Sequence, residues 1–437
     1  MDPLWLGIIG TAAVLLLIIF RVPIAFALAG IGTLGLIFIY GLEPASIYIP
    51  RQLYSYVAKF TFTAVPLFLL MGYFAFYAGL TVEAYDGARA WVGRLPGGLA
   101  LTTVAGCALF AASAGSSLAE CAAMSKIAVP EMRRSGYSMR LATGVVASAG
   151  GMAVVIPPSI IMIIYGVVTE TSVGELLIAG ILPGILYFAV FALAIIVYAY
   201  LRPSSAPQES TVDTSWKARR ASLKKVWGIA ALFMLVIGGI YGGLVTPTEA
   251  AGLGAAGALG LAYLKGKLDR TTFKTSIAET LKASAMIFLL LGGASIFTTF
   301  LSVTGVISSA TTSLVSMNLS PHMILIAIFI LYVVLGMFLD PISMMILTLP
   351  IVLPVLKAQK LSLIWFGVVM CMLAEIGCIT PPMGLNVYVM KGALGKSADL
   401  NDIFAGALPF VILMILIILI LYLYPEIALW LPSLIIQ

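Results

Sequence analysis

Hydrophobic positions form long runs along this chain, and polar positions are confined to short stretches between them. A helix that crosses the hydrocarbon core of a bilayer needs about 17 to 25 mostly apolar residues. Runs of this length recur, with clear examples at 4–20, 22–40, 178–200, 226–243 and 405–424. The pattern predicts an all-α polytopic membrane protein.

Composition supports this prediction. Of the 437 residues, 62% are hydrophobic and 10% are charged, and the mean hydropathy is +1.12. A soluble protein of this size could not bury so much apolar surface, so the chain is expected to fold in a lipid bilayer. The net charge of +6 comes from basic residues scattered among loops, which indicates membrane topology and no binding of nucleic acid.

Few side chains are suited to catalysis or to holding a cofactor. The four cysteines lie in apolar segments, and His322 is the single histidine. This content argues against a Cys/His metal site and against a nucleophile–base pair. An intramembrane enzyme, one alternative function, would need such a pair at membrane depth. We therefore expect a protein that is not an enzyme and has no cofactor.

Two double prolines, Pro157-Pro158 and Pro381-Pro382, interrupt apolar runs that otherwise resemble membrane helices. They lie 224 positions apart (381 − 157). The same offset relates Pro130 to Pro354, Pro23 to Pro247, and Ser116-Ser117 to Asp340-Pro341. A repeat of about half the chain indicates a duplicated membrane bundle. Residues 1–201 would form the first repeat and residues 226–437 the second, joined by the polar linker 202–225.

Basic residues indicate that the two repeats are inverted, because Lys and Arg concentrate in cytoplasmic loops. The loop 81–97 contains arginines, whereas its counterpart 305–321 is uncharged. Conversely, 41–50 has no basic residue and its counterpart after residue 264 has several. We predict a cytoplasmic linker, both termini in the periplasm, and five crossings plus one re-entrant hairpin in each half. Lys357 and Lys360 depart from this pattern.

The two hairpins are predicted at 98–130, with a tip near 113–117, and at 322–356, with a tip near 338–341. Their arms of about 15 to 17 residues are short for a full crossing of about 20 residues. Their tips carry small or polar residues. A pair of ordinary short tilted helices is the alternative in each case.

The proline breaks predict ion sites. A proline pair inside a helix leaves carbonyl groups unpaired, and such groups persist in a membrane only beside protein, water or an ion. Carbonyl oxygens suit a hard cation, and the helix that begins after each break points its positive end at the site. The candidate residues for binding sodium or substrate are Ser116, Ser117, Pro157, Pro158 and Ser159 at the first site, and Asp340, Pro341, Thr380, Pro381 and Asn386 at the second.

Several of these residues have a purely structural alternative. The serines at 116 and 117 and the aspartate at 340 are good helix caps. Asn386 could only bond a neighbour, and Glu249 in "TPTEAA" suits capping better than transport. A carboxylate at membrane depth usually has a functional partner, which favours ion coordination by Asp340. The sequence pattern assigns no role to Glu120 or Glu375.

The ordered motifs "RVPIAFALAG", "SAGSSLAE", "IPPSIIMIIYG", "TPTEAAGLGA", "GMFLDPIS" and "AEIGCITPPMGLNVYV" resemble the large membrane subunit of TRAP (tripartite ATP-independent periplasmic) transporters. The resemblance covers nearly the whole chain. It implies a sodium-driven elevator in the bacterial inner membrane, with a transport domain from 62–170 and 286–392 and a scaffold from the remainder. The stretches 42–60 and 264–285 would be interfacial arms.

The same resemblance implies two partners, a small four-helix membrane subunit and a periplasmic substrate-binding protein that delivers a carboxylate-bearing solute. The absence of a P-loop sequence agrees with a process independent of ATP. A stand-alone sodium/dicarboxylate or arsenite-type carrier of related architecture is the alternative within transport.

Overall fold

A computed structural model describes residues 2–208, 213–316 and 320–434 of the chain. All regular secondary structure in these residues is helical. Six helical stretches among them are long and apolar enough to cross a membrane, and further apolar helices of 10–17 residues accompany them. The predicted all-α membrane architecture is confirmed at this level.

Among the described residues, eleven α-helices lie before residue 202 and eleven after it, and the first of the second set begins at Trp216, within the predicted linker 202–225. The first set is α1 Pro3–Ile19, α2 Ile24–Tyr40, α3 Leu42–Val57, α4 Ala64–Tyr77, α5 Leu80–Val92, α6 Gly98–Ala114, α7 Ser117–Arg134, α8 Met139–Ala149, α9 Ile160–Thr169, α10 Val173–Ala179 and α11 Ile181–Leu201. The second set is α12 Trp216–Phe233, α13 Gly239–Tyr241, α14 Pro247–Leu264, α15 Arg270–Val303, α16 Val306–Ser316, α17 Pro321–Gly336, α18 Pro341–Ala358, α19 Leu363–Ile379, α20 Leu385–Leu394, α21 Leu400–Leu423 and α22 Glu426–Ser433.

Helix boundaries recur at the spacing of the sequence repeat. Helices α7 and α8 begin 224 residues before α18 and α19 (341 − 117 and 363 − 139). The two predicted hairpins correspond to α6–α7, called here the first hairpin, and α17–α18, the second hairpin. Their arms span 16 to 18 residues, slightly longer than predicted at the upper end.

One pair of equivalent regions differs in continuity. In the first half, α3 and α4 are separate helices joined by a short 3-10 turn at Phe60–Thr63. The corresponding part of the second half is the single 34-residue helix α15. From Arg270 onward, the predicted arm 264–285 is therefore part of one helix with the segment that follows it. Its helix continues without interruption through residue 286, because the sequence from Arg270 to Val303 contains no proline to end it.

The chain divides into two compact units that do not coincide with its two halves. The smaller unit contains described residues of 1–63, 281–330 and 342–363. Within it, α2 and α15 approach at backbone distance. A Cβ on Gly32 would lie 2.9 Å from the Phe297 nitrogen, and a Cβ on Gly293 would meet the Ala25 carbonyl. Small residues allow such close packing where lipid supplies no hydrophobic drive between helices.

The larger unit contains described residues of 64–280, 331–341 and 364–437. Its helices α8 and α21 also touch through their backbones, since a Cβ on Gly144 would meet the backbone of Gly406. The first hairpin and both proline breaks belong to this unit. Its interior therefore positions most of the candidate site residues.

Candidate ion and substrate site

The tip of the first hairpin is a two-residue interruption. Helix α6 ends before Gly115, which has a left-handed φ of +63°, and Ser116 is extended with φ −138°. The Ser116 hydroxyl accepts a hydrogen bond from the Ala119 amide at 3.5 Å. The capping alternative for Ser116 thus describes part of its environment, and α7 begins at Ser117 with its free amides directed toward the tip.

The first proline break, residues 155–159, packs against this tip. The Ile160 amide donates to the Gly115 carbonyl at 3.4 Å, and a Cβ on Gly115 would lie 2.5 Å from the Pro158 carbonyl oxygen. Ser159 caps α9 by accepting from the Met162 amide at 3.3 Å. The structure therefore brings together all five residues predicted for the first site, and it buries Pro157, Pro158 and Ser159.

The second proline break, residues 380–384, has different surroundings. Pro381 and Pro382 are exposed, and Thr380 is half-buried. The Thr380 hydroxyl donates to the Ile376 carbonyl at 2.5 Å. Gly384, with φ +52°, leads into α20. Both Pro–Pro peptide bonds in the chain are cis.

Asn386 and Ser117 share one partner, the buried carboxyl group of Glu375 on α19. The Ser117 hydroxyl donates to Glu375 Oε1 at 2.6 Å, and Asn386 Nδ2 donates to Glu375 Oε2 at 3.0 Å. Asn386 Nδ2 also approaches the Ala147 carbonyl at 3.4 Å. One residue of each predicted site is therefore bonded to the same carboxyl group, which joins the first hairpin to the helix after the second break.

Two polar groups near this carboxyl group lack partners. Both carboxyl oxygens of the buried Glu120 lack a hydrogen-bond partner within the described part of the chain, and so does Asn386 Oδ1. The Cys107 thiol lies beside Glu120, without the geometry of a hydrogen bond. The Glu375 carboxyl acts electrostatically on the Glu120 carboxyl. Buried polar groups normally have partners. No lysine, arginine or histidine is buried among the described residues.

Asp340 and Pro341 stand at the start of α18. Asp340 is half-buried and lies within electrostatic reach of the Cys378 thiol on α19. The end of α17 is held close to α19, because a Cβ on Gly377 would meet the Gly336 backbone. These contacts place Asp340 beside the helix that leads into the second break, whereas the bonds to Glu375 come from Ser117 and Asn386.

The sequence alone assigned no role to Glu375, the residue that accepts hydrogen bonds from Ser117 and Asn386. The available signal was a carboxylate in an otherwise apolar run, six residues before Pro381. Glu249, by contrast, behaves as expected. It forms a capping box with Thr246 at the start of α14. Among the described residues, no three His, Cys, Asp or Glu side chains cluster as a metal site would require.

A family model described as "Tripartite ATP-independent periplasmic transporter, DctM component" matches residues 11–427. This chain belongs to that family. Membership of the DctM family confirms the resemblance seen in the motifs, and it identifies the protein as a transporter subunit and not an enzyme.

Curated relatives agree with this assignment. The chain is 34% identical over 384 residues to the C4-dicarboxylate TRAP transporter large permease protein DctM of Pseudomonas aeruginosa, covering 87% of this chain and 88% of that protein. It is 32% identical to the protein of the same name from Vibrio cholerae, covering 96% of this chain and 95% of that protein.

A solved structure shows a similar fold. The YdaH transporter of Alcanivorax borkumensis superimposes with a TM-score of 0.65 at 14% identity, covering 98% of each chain. At this identity the comparison concerns the fold alone. The DctM-family chain is thus a multi-pass membrane protein with the fold of known transporters.

Proposed function

We propose that this protein is the membrane-translocating subunit of a sodium-coupled TRAP transporter that imports a carboxylate-bearing solute by an elevator mechanism. The observation that carries the proposal is the bonding of Ser117 and Asn386 to Glu375. Ser117 borders the first predicted ion site and Asn386 the second. Occupancy of one site would therefore be sensed at the other through a buried carboxyl group.

The unpaired oxygens support cation binding in this region. Asn386 Oδ1 is a buried acceptor without a donor in the described part of the chain. Sodium is a hard cation, for which amide, hydroxyl and carbonyl oxygens are suitable ligands. The Glu375 carboxyl supplies negative charge nearby, and no buried lysine or arginine among the described residues competes for it.

Helix N-termini offer the complementary site for the carboxylate of the solute. The starts of α7 and α9 lie side by side at the Gly115–Ile160 contact. The start of α20 lies beside α7, where the Cys121 thiol donates to the Asn386 carbonyl at 3.4 Å. Free amides and the helix dipole favour an anion at such ends. The C4-dicarboxylate permeases among the relatives make a C4-dicarboxylate the first solute to test.

Family membership supports the expected partners, and the elevator motion is inferred from the resemblance. A periplasmic binding protein would deliver the solute, and a small four-helix membrane subunit would complete the scaffold. Residues 62–170 and 286–392 would move against that scaffold. The location would be the inner membrane with both termini periplasmic.

Uptake into proteoliposomes tests the proposal. Vesicles containing this chain and the small subunit should accumulate a labelled C4-dicarboxylate only with an inward sodium gradient and the binding protein. Uptake without the binding protein would instead favour the stand-alone carrier. Uptake that is indifferent to sodium would contradict the coupling.

Cysteine labelling tests the inverted topology separately. Ser204 and Ser308 are exposed. Ser204 lies in the linker, which is predicted to be cytoplasmic, and Ser308 lies in the uncharged stretch 305–321, which is predicted to be periplasmic. Ser204→Cys should react with an impermeant reagent only from the cytoplasm, and Ser308→Cys only from the periplasm. Reaction of both from one side would contradict the inversion.

A further inference from the structure

An apolar cavity of about 710 Å³ lies beside the first proline break. Its walls come from α5, α6, α11 and α12, and include Trp91, Pro157, Phe188 and Phe233. Every residue that lines it is apolar or glycine. The volume lies within the range of sites that enclose a small molecule, and the lining offers no group that would orient a polar solute.

The cavity extends along α12 for the depth of one leaflet. Leu223, Val226, Ala230 and Phe233 line it at helical spacing. At about 1.5 Å per residue, the rise from Leu223 to Phe233 is roughly 15 Å. This is about half of the hydrocarbon core, which is roughly 30 Å thick. The cavity is therefore about as long as the part of a single acyl chain that spans one leaflet.

A cationic cluster continues from the same wall of the cavity. The Arg219 guanidinium lies 5.5 Å from the ring centroid of Trp91, which lines the cavity, and 5.5 Å from that of Trp216. Its Nε is buried without a hydrogen-bond partner among the described residues. Trp216, Lys217 and Arg220 line a second pocket.

The charges in this cluster are available to a ligand. In the described part of the chain, Lys225 pairs with Asp86 at 3.1 Å, whereas no ion pair involves Lys217, Arg219 or Arg220. The neighbouring Asp213 accepts from the Ser215 amide at 2.9 Å and attracts Lys217 electrostatically without forming an ion pair with it. Arg219 and Arg220 are therefore the cations of the cluster with no acidic side chain acting on them in the described part of the chain. Arginine and tryptophan at a helix end are typical of the headgroup level of a membrane.

We propose that these two features form one binding site for an anionic phospholipid. The phosphate would bind at Lys217, Arg219 and Arg220, and one acyl chain would occupy the cavity as far as Phe233. Basic pockets between membrane helices hold such headgroups by charge complementarity. Because the acyl chain would lie against Pro157 and Ile156, the lipid would contact the first proline break directly.

Native mass spectrometry of the full-length chain with phosphatidylglycerol and phosphatidylcholine tests the site. Wild type should retain phosphatidylglycerol preferentially. Arg219→Gln with Arg220→Gln should reduce that preference by about fivefold for each cation removed, with Lys267→Gln as the matched control. Ala230→Trp should displace both lipids by filling the cavity, whereas Leu193→Trp, on an exposed position of α11, should displace neither.

Several results would overturn the proposal. One is an unchanged lipid preference in the arginine variants, and another is normal lipid retention in Ala230→Trp. Protection of the protein from thermal unfolding by inorganic phosphate as strong as that by phosphatidylglycerol would show an anion site independent of the cavity. If the small membrane subunit displaces the lipid and forms cross-links to the cysteine of the Ala230→Cys variant, the cavity is a subunit interface.

Discussion

The two proline breaks occupy equivalent positions in the two halves, yet their surroundings differ. Pro157 and Pro158 are buried, and the tip of the first hairpin packs on them through Gly115. Pro381 and Pro382 are exposed, although α20 begins directly after them and buries Asn386. A break in a helix is thus a local property of the proline pair, whereas its exposure depends on what packs against it.

Replacing each proline pair by alanines should separate these two properties and gives the largest expected effect. Alanine is favoured over proline inside a helix by up to about 3 kcal/mol per residue, so both variants should insert and extend their helices. Both should lose sodium-dependent uptake by at least about tenfold, a change of roughly 1.4 kcal/mol in binding. Only Pro157-Pro158→Ala-Ala should also lower Tm, because it alone disturbs a buried contact.

The measurements for this pair are proteoliposome uptake and Tm with and without sodium. An ion that binds only the folded state raises Tm by mass action. A well-folded variant that keeps full sodium-dependent stabilisation and uptake would show that its break serves packing alone.

Glu375→Gln tests whether the two breaks are coupled through one charge. Glutamine retains the shape and one acceptor for Ser117 or Asn386, but it removes the negative charge. Hydrogen bonds to charged groups contribute about 1.5 to 3 kcal/mol, so we expect the sodium concentration for half-maximal uptake to rise by about tenfold. Glu249→Gln, at the exposed capping box of α14, is the matched control and should leave this concentration unchanged.

An unchanged sodium dependence in Glu375→Gln, in a variant whose Tm matches the parent, would contradict the coupling. A loss of folding would be resolved by Ser117→Ala. That variant removes one hydrogen bond to Glu375 while keeping its charge, and it should shift the sodium dependence in the same direction.

Gly115→Ala measures how tightly the first hairpin tip packs on its break. The left-handed φ of Gly115 gives alanine a strain of about 1 to 2 kcal/mol, and the added Cβ would lie 2.5 Å from the Pro158 oxygen. Gly79→Ala has a similar φ of +82° with no atom within 4 Å. We expect Gly115→Ala to destabilise the protein by about 1 to 3 kcal/mol more than Gly79→Ala does. Equal effects in denaturation would argue against a packed tip.

The smallest predicted effect compares the starts of α15 and α3. Asp269 Oδ1 accepts from the Thr272 amide at 2.6 Å, and this hydrogen bond lowers the pKa of the Asp269 carboxyl. Asp269→Ala removes this cap and should therefore lower Tm slightly at pH 7. Helix α3 has no side-chain cap at Gly41, so the start of α15 in the variant would resemble the start of α3.

The pH dependence of this effect has a defined sign. Because the folded pKa of Asp269 is the lower one, its contribution is present above the unfolded pKa of about 4 and is lost as the pH falls further. The Tm difference between Asp269→Ala and the parent should shrink below about pH 4. Asp269→Asn should remain close to the parent at pH 7, since both residues are good caps. A difference that is independent of pH would show that the carboxylate charge has no part.

Local chemistry determined much of this protein from its sequence. Apolar runs of membrane length, proline pairs and small polar tips act within one or two turns of helix, so the helices, both breaks and both hairpin tips could be located in the sequence. The spacing of 224 residues predicted a duplication, and the ordered motifs indicated the family. The capping role of Glu249 was also readable, because a capping box needs only four consecutive residues.

Tertiary structure alone decided which of these features meet. Ser117 and Glu375 are 258 positions apart, and no local pattern relates them. The two proline pairs differ in exposure because of tertiary packing, with Gly115 lying against Pro158 at the first break. The continuity of α15 likewise distinguishes the two halves, although landmarks in their sequences share the spacing of 224 residues. Hydrogen bonds and close contacts act over a few ångströms in space irrespective of distance along the chain, so they appear only once the chain has folded.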